Sequence, residues 1–517
     1  MSAKDSAWWR DAVIYQVYPR SFADSDGDGV GDIDGIRAHL GHLRDLGVDA
    51  IWMSPWYPSP MADAGYDVAD FRDIDPAFGT LESAEALIAE AHEAGIRMIV
   101  DIVPNHISSE HPWFKAAVAS PDAPERDYFW FKPAAEKMPT GWTGEFGGTT
   151  WSKAPDGSWY LHLFTPEQPD LNWEHPDVKA EFEDILRFWF DRGADGIRID
   201  SAALLFKDTT FPEVRAGEPH PFHDLDAVHD VYRAWRRVAD EYQGRALIGE
   251  VWMPEVDRFT NYLRADELHA AFNFDFLGCA WDPDLMKACI DRTLDAHAKV
   301  DAPPTWVLSN HDVTRHVTRY GRTDTTFSFE NNLDGTPVDL ELGTRRARAA
   351  ALLSLSLPGA TYVYQGEELG LWENENIPED QIQDPMYARR GHTRDGCRVP
   401  LPWSGDEPPY GFTTATPWLP QPAEWKDRTV QAQTGDPSSM LELYRSAIRL
   451  RRTQKSGFAW LDLGEGVLAW TRGDDFACVL NLSGAPVPLP EHRTILLASG
   501  PLDGDLIPQD TAVWLQS

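Results

Sequence analysis

Cysteine, basic side chains and long apolar runs are scarce in this 517-residue sequence, and each scarcity excludes a class of function. Its four cysteines (Cys279, Cys289, Cys397, Cys478) include no CxxC pair. They provide neither a disulfide framework nor a thiolate zinc site, and are expected to be reduced, buried small hydrophobes. Lysine and arginine number 46 against 83 aspartates and glutamates, a formal net charge of −37. This balance excludes nucleic acid as a partner, because phosphate binding needs clustered cations. It suits a neutral substrate. No stretch approaches the roughly 18–20 consecutive apolar residues of a membrane span, and residues 1–11 hold no apolar run of the kind a signal peptide needs. The cytoplasm is the expected compartment, with no membrane partner. There is no internal repeat.

What is present is alternation. Eight short β-branched or aromatic runs, at 13–19, 50–55, 97–103, 196–201, 246–252, 271–276, 305–311 and 361–367, are separated by helical patterns such as 34–46, 81–94, 176–192 and 224–242. Strands alternating with helices make a parallel sheet with helical crossovers. Eight of them predict an α/β fold, a (β/α)8 TIM barrel, with an open doubly wound sheet as the alternative from counting alone. About 90 residues separate the third and fourth runs, more than a crossover needs, which predicts an inserted domain after strand 3. The expected division is a barrel over 1–104 and 173–455, an insert over 105–172, and a small C-terminal β domain over 456–517, where short alternating strands take over. The 22 Trp, 15 Tyr and 23 Phe are read chiefly as core, with sugar-stacking surfaces as the second reading.

Polar residues stand at the C-terminal ends of these strands, the face that carries the active site in a barrel. Strand four ends Arg198-Ile199-Asp200, so Arg198 and Asp200 share one face. Buried together they must pair, and the guanidinium is expected to lower the Asp200 pKa, as a nucleophile needs. Strand five ends in Glu250, an acid with no cation beside it in sequence, whose apolar surroundings are expected to raise its pKa, as a general acid needs. Strand seven ends His311-Asp312, strand three leads to Asn105-His106, and Asp67 follows strand two. The histidines lack further ligands at zinc spacing and fit hydrogen bonding to hydroxyls better than a metal. Such a set suits an oxocarbenium-like transition state on a polyhydroxylated ligand.

These segments, DIVPNH (101–106), GIRIDS (196–201), LIGEVW (247–252), VLSNHD (307–312), QPDLNW (168–173), YQVYPRSF (15–22), GYDVADF (65–71) and GCRVPLPW (396–403), resemble glycoside hydrolase family 13, the α-amylase family. The likeness spans residues 8–455 and is nearest to the branch of oligo-1,6-glucosidases, maltases and other exo-acting α-glucosidases. It implies Asp200 as nucleophile, Glu250 as acid/base and Asp312 as the acid gripping the distorted sugar. It also implies that Asp67, His106, Arg198 and His311 hold the terminal glucose and that Arg398 closes the pocket. The expected activity is a retaining α-glucosidase releasing glucose from the non-reducing end of short α-glucosides. Ser201, after the nucleophile, leans it towards α-1,4 bonds (maltose, maltodextrins). Alternatives on the same scaffold are an oligo-1,6-glucosidase, or a glucosyl transferase or isomerase of the trehalose synthase kind. A non-catalytic transporter subunit would have lost the three acids. Monomer and homo-oligomer stay open.

The loop Asp24-Ser25-Asp26-Gly27-Asp28-Gly29-Val30-Gly31-Asp32 begins like an EF-hand but has Gly35 where the twelfth-position glutamate belongs. Read alone it is an acidic turn capping the next helix, or a cation loop. The resemblance implies a structural Ca2+ or Mg2+ held by Asp24, Asp26, Asp28, the Val30 carbonyl and Asp32, and no organic cofactor.

Overall fold

Helical crossovers form where a capping residue meets an apolar stripe. Thr80 and Ser83 make a reciprocal capping box at the start of Leu81–Glu93, which buries Ala84, Leu87, Ile88 and Ala91 at helical spacing. His175 and Pro176 open Pro176–Asp191, which buries Val178, Phe182, Ile185, Leu186 and Trp189. Asp32 caps Ile33–Ala38 by accepting the Gly35 amide. In the computed structural model, which describes residues 5–214, 220–328 and 333–516, these helices surround eight parallel strands. They are β1 (Val13–Val17), β2 (Ala50–Met53), β3 (Arg97–Ile102), β4 (Gly196–Ile199), β5 (Ala246–Gly249), β6 (Ala270–Ala271), β7 (Thr305–Val307) and β8 (Ala360–Tyr364).

The sheet runs β7-β8-β1-β2-β3-β4-β5-β6, a nearly closed barrel. At the β6–β7 seam the Thr305 hydroxyl donates to the Ala271 carbonyl at 2.6 Å, a side-chain bond in place of a ladder. Strand six is much shorter than its alternation over 271–276 predicts. The Asn273 side chain accepts the Phe276 amide at 3.0 Å and starts a helix at Phe274–Gly278, so a local cap overrides the two-residue period.

Between β3 and β4 the chain builds the helix Pro112–Ala119 and a small antiparallel sheet of Phe131–Lys132, Trp159–Leu161 and Trp151–Lys153. Trp142, Trp151 and Trp173 are buried, so these indoles are core and not sugar platforms. The last segment forms a five-stranded antiparallel sheet, β9 (Ala459–Leu461), β10 (Val467–Thr471), β11 (Phe476–Asn481), β12 (Thr494–Ala498) and β13 (Thr511–Gln516). It packs on the helix Leu340–Ser356, where the Trp514 indole donates to the Leu352 carbonyl at 3.1 Å. All four cysteines are free; Cys279 is half-buried, contrary to expectation, and the others are buried. Among the described residues no helix is long and apolar enough to cross a membrane.

Candidate active site

Strand register assembles the site. Asp101 on β3 is the register partner of Arg198 on β4, and Ile199 on β4 that of Gly249 on β5. The next residue on each of those last two strands is an acid, so Asp200 and Glu250 emerge side by side at the barrel mouth. One guanidinium links all three acids. Arg198 donates from Nη1 to Asp200 at 2.8 Å and to both oxygens of Asp101 at 3.1 Å, and from Nη2 to Glu250 at 2.5 Å. Ser201 adopts a left-handed backbone (φ 46°), and its amide donates to the same Glu250 oxygen at 3.0 Å. That conformation is costly for a residue with a Cβ and is found where a local group must be aimed. The other Glu250 oxygen accepts the Trp252 indole N–H at 2.8 Å. Trp252 is in turn stacked on Phe274, with centroids 3.5 Å apart.

This arrangement corrects two electrostatic expectations. Glu250 does have a cation, because β4 delivers Arg198 to it across the barrel. Arg198 does not leave Asp200 low. Its single charge is divided among three acids, and burial followed by the Glu250 charge pushes Asp200 well above its ordinary range. Burial also raises Asp101, to about 7. Three acids against one guanidinium therefore retain a proton near neutral pH.

Asp312 behaves oppositely. Burial pushes its pKa up, but His311, Arg394 and Arg398 outweigh burial and hold it below the usual carboxylate range. Arg394 and Arg398 donate to its Oδ1 at 2.9 and 3.0 Å. Arg398 also donates to the His311 carbonyl at 2.8 Å and is itself buried, so it buttresses Asp312 from behind and does not line the cavity. His311 lies beneath Tyr66, the rings stacked with centroids 5.3 Å apart and 8° between planes. Burial lowers both His311 and His106 to about 3, so both are neutral hydrogen-bonding groups.

Asp67 is not in the site. Its carboxylate is consumed inside its own turn by the Ser59 hydroxyl (2.8 Å) and the amides of Ala62 (2.9 Å) and Asp63 (3.0 Å). Asp63, four residues earlier, takes the place expected of it. It receives Arg394 at 2.9 Å and the Gln168 amide at 3.1 Å, while Gln168 also reaches His106 at 2.9 Å. Burial raises Asp63 to about 6 even so. Sequence reasoning also missed Arg394, although it lies only four residues before Arg398 in the same segment. The acids and Arg394 line a cavity of about 310 Å³, walled by Phe146 and Phe164 from the insert and narrowed by Glu145 and Arg390. Arg390 also donates to the Glu145 carbonyl, tying the 385–390 segment to the insert.

The model of the α-amylase catalytic domain matches residues 16–457. The chain belongs to the α-amylase family. It is 38% identical over 91% of its length to a Rhizobium meliloti (strain 1021) protein named "Probable alpha-glucosidase", covering 86% of that protein. It is 34% identical over 87% of its length to an oligo-1,6-glucosidase of Parageobacillus thermoglucosidasius, covering 84% of it. Among solved structures, the isomaltulose synthase of Klebsiella sp. LX3 superposes with a TM-score of 0.88 at 28% identity, over 99% of each chain. This α-amylase family member is accordingly a glycoside hydrolase of the exo-acting α-glucosidase branch, acting on carbohydrate.

In the loop before the first helix, carboxylate oxygens of Asp24, Asp26 and Asp28 lie within 4.8 Å of one another. Asp32 does not join them: it accepts the Gly35 amide at 2.6 Å and the Ser25 amide at 2.7 Å. An oxygen-only donor set of three converging acids fits a hard divalent cation. The loop is clamped onto the 413–418 segment: Asp24 accepts the Thr413 hydroxyl, and a Cβ on Gly29 would fall 2.2 Å from the Thr416 carbonyl.

Proposed function

We propose that this chain is a retaining α-glucosidase that releases glucose from the non-reducing end of short α-glucosides, with α-1,4 bonds preferred. One observation carries the reading: a single guanidinium bonds Asp200 and Glu250 together. Acids so close favour double displacement, for which the two carboxyls stand about 5–5.5 Å apart, over inversion, which needs about 6.5–9.5 Å. A cavity with room for about ten waters suits a short saccharide and not a passing polymer strand.

In this reading Asp200 attacks the anomeric carbon and Glu250 protonates the departing glycosidic oxygen, leaving a glucosyl ester on Asp200. Glu250 then takes a proton from water, whose oxygen displaces Asp200. Asp312, held ionised by its arginines, grips sugar hydroxyls together with Asp63 and His106. Without ligand the proton of the pair rests on Asp200, since Glu250 already accepts three donors. Seating the glycosidic oxygen against Glu250 draws the proton across.

The test is a proton NMR time course on maltose, isomaltose, sucrose and starch. We expect α-glucose to appear first, fastest from maltose and poorly from starch. Initial β-glucose would overturn retention, and faster isomaltose cleavage would overturn the α-1,4 preference. The likeness to an isomaltulose synthase supports a second reading, glucosyl transfer or isomerisation. Trehalose, larger glucosides or isomerised sucrose dominating over free glucose would establish it.

Asp24, Asp26 and Asp28, with the Val30 carbonyl completing the set, are proposed to hold Ca2+ or Mg2+ as a clamp between the first loop and the 413–418 segment. The Asp28 amide lowers Asp26, but the neighbouring acids Asp28, Asp24 and Asp32 leave it raised, a repulsion that a cation would relieve. Calcium at a hundredfold excess over Kd should add about 2.7 kcal/mol to stability, while initial rates well below the melting temperature stay unchanged. Identical melting in Ca2+, Mg2+ and EDTA would remove the assignment.

A further inference from the structure

The opposite end of the barrel holds a separate polar cavity of about 210 Å³, between the strand N-termini and the C-terminal sheet. Asp11 and Val13 reach it from the start of β1, Asp49 from the residue before β2, Arg97 from the first residue of β3, and Arg472 from the residue after β10. The helix Met440–Arg451 and the residues after it close the cavity with Arg451, Arg452 and Gln454. In a chain of net charge −37, this wall sets four guanidiniums against only two carboxylates.

One of those carboxylates is committed. Asp49 accepts the Val13 amide at 2.8 Å and Arg452 at 3.1 Å. Arg451 is 8% exposed and is fixed by carbonyls, those of Leu355 (2.6 Å), Leu357 (3.1 Å) and Gly359. Arg472 is fixed by the Ser356 carbonyl at 2.9 Å. Neither has a carboxylate in ion-pair range among the described residues, and the Nε of each is buried without a hydrogen-bond partner. Burial and the neighbouring Arg472 lower Arg451 to about 10. The buried Arg198 and Arg394, by contrast, each meet several carboxylates.

Gln454 adds an independent observation: its amide oxygen and nitrogen are both buried with no partner. A buried amide left unpaired costs about 1–3 kcal/mol, so the cavity contents must bond it. Water would serve the amide but would not offset two surplus positive charges. A phosphate group, carrying about −1.5 to −2, matches that surplus and the donor geometry of guanidinium, whereas a monocarboxylate leaves half of it.

We propose that this cavity is a binding site for a small phosphate-bearing anion. It has room for about seven waters, more than inorganic phosphate fills, so the occupant is a phosphate ester whose hydroxylated body meets Gln454. The site is remote from the catalytic acids, and its occupancy bridges the barrel floor to the C-terminal sheet.

Calorimetric titration of the full chain with inorganic phosphate and with glycerol 3-phosphate, which is no glucoside, tests this. We expect saturable one-to-one binding of both, tighter for the ester, weakened at least tenfold in Arg472→Gln and in Gln454→Leu, with maltose turnover unchanged. Equal affinity for the two anions would assign the site to the phosphate group alone. Absence of saturable binding into the millimolar range, or undiminished binding in both variants, would overturn it. If Arg472→Gln melts early, Gln454→Leu, which removes no charge and no bond made in the protein, carries the test.

Discussion

Replacing Asp200 with alanine is expected to lower kcat by on the order of 10⁴-fold or more, with the melting temperature held. Loss of the attacking oxygen removes the covalent route entirely. The fold should tolerate it for an electrostatic reason: Arg198 keeps its bonds to Asp101 and Glu250, and the cluster goes from three acids on one guanidinium to two. Like-charge repulsion falls as the site empties. Azide supplied to the variant should enter the vacated space, attack from the Asp200 side and yield a glucosyl azide of configuration inverted from the substrate. Near wild-type hydrolysis by Asp200→Ala, or turnover restored without that azide product, would show that another group is the nucleophile.

The acids at issue were legible in the sequence because each ends a strand where apolar alternation breaks off, and the direction of a strand fixes which end faces the site. Asp200, Glu250 and Arg198 follow from that rule alone. What it does not fix is charge balance. The guanidinium belongs to β4, but the register with β3 and β5 divides it among Asp101, Asp200 and Glu250, so a pairing read within one strand gives the wrong direction for Asp200. Loops were less legible still. Asp63 and Asp67 are equally acidic and occupy one turn. Only tertiary paths separate them: Asp67 finds its donors within eight residues, whereas Asp63 meets a partner 331 residues away. Strand six failed for the opposite reason, a local one, because Phe-Asn-Phe-Asp-Phe alternates like a strand while its asparagine caps a helix. The barrel tolerates so short a strand because Thr305 bridges the gap it leaves.

Arg394 was illegible from the sequence, yet its removal should have the largest effect on stability. It bonds Asp312 at 2.9 Å, Asp63 at 2.9 Å and Asp384 at 2.7 Å, drawing together residues from three separate stretches of chain. Arg394→Met leaves these acids without their shared cation in a buried setting. Breaking such a pair costs about 3–5 kcal/mol, and the loosened Asp312 should lower kcat/KM by on the order of 10²–10³-fold. Arg394→Lys should recover only part of either, since an ammonium cannot fork to three carboxylates.

The pH dependence separates this role from simple packing. Burial pushes Asp384 up, as it does Asp312, but Arg394 and Arg398 outweigh it and hold the folded pKa of Asp384 below its ordinary value; for Asp312, His311 acts with them. Acids depressed in the folded state add stability above the unfolded pKa of about 3.9 and lose it as pH falls through the folded value. The wild type draws this stability at neutral pH and the methionine variant does not. Denaturant midpoints for the two should therefore lie furthest apart near pH 7 and converge below about pH 4. A constant gap across that range would mean that Arg394 acts through its bulk alone, and equal stability at pH 7 would mean that its three acids do not depend on it.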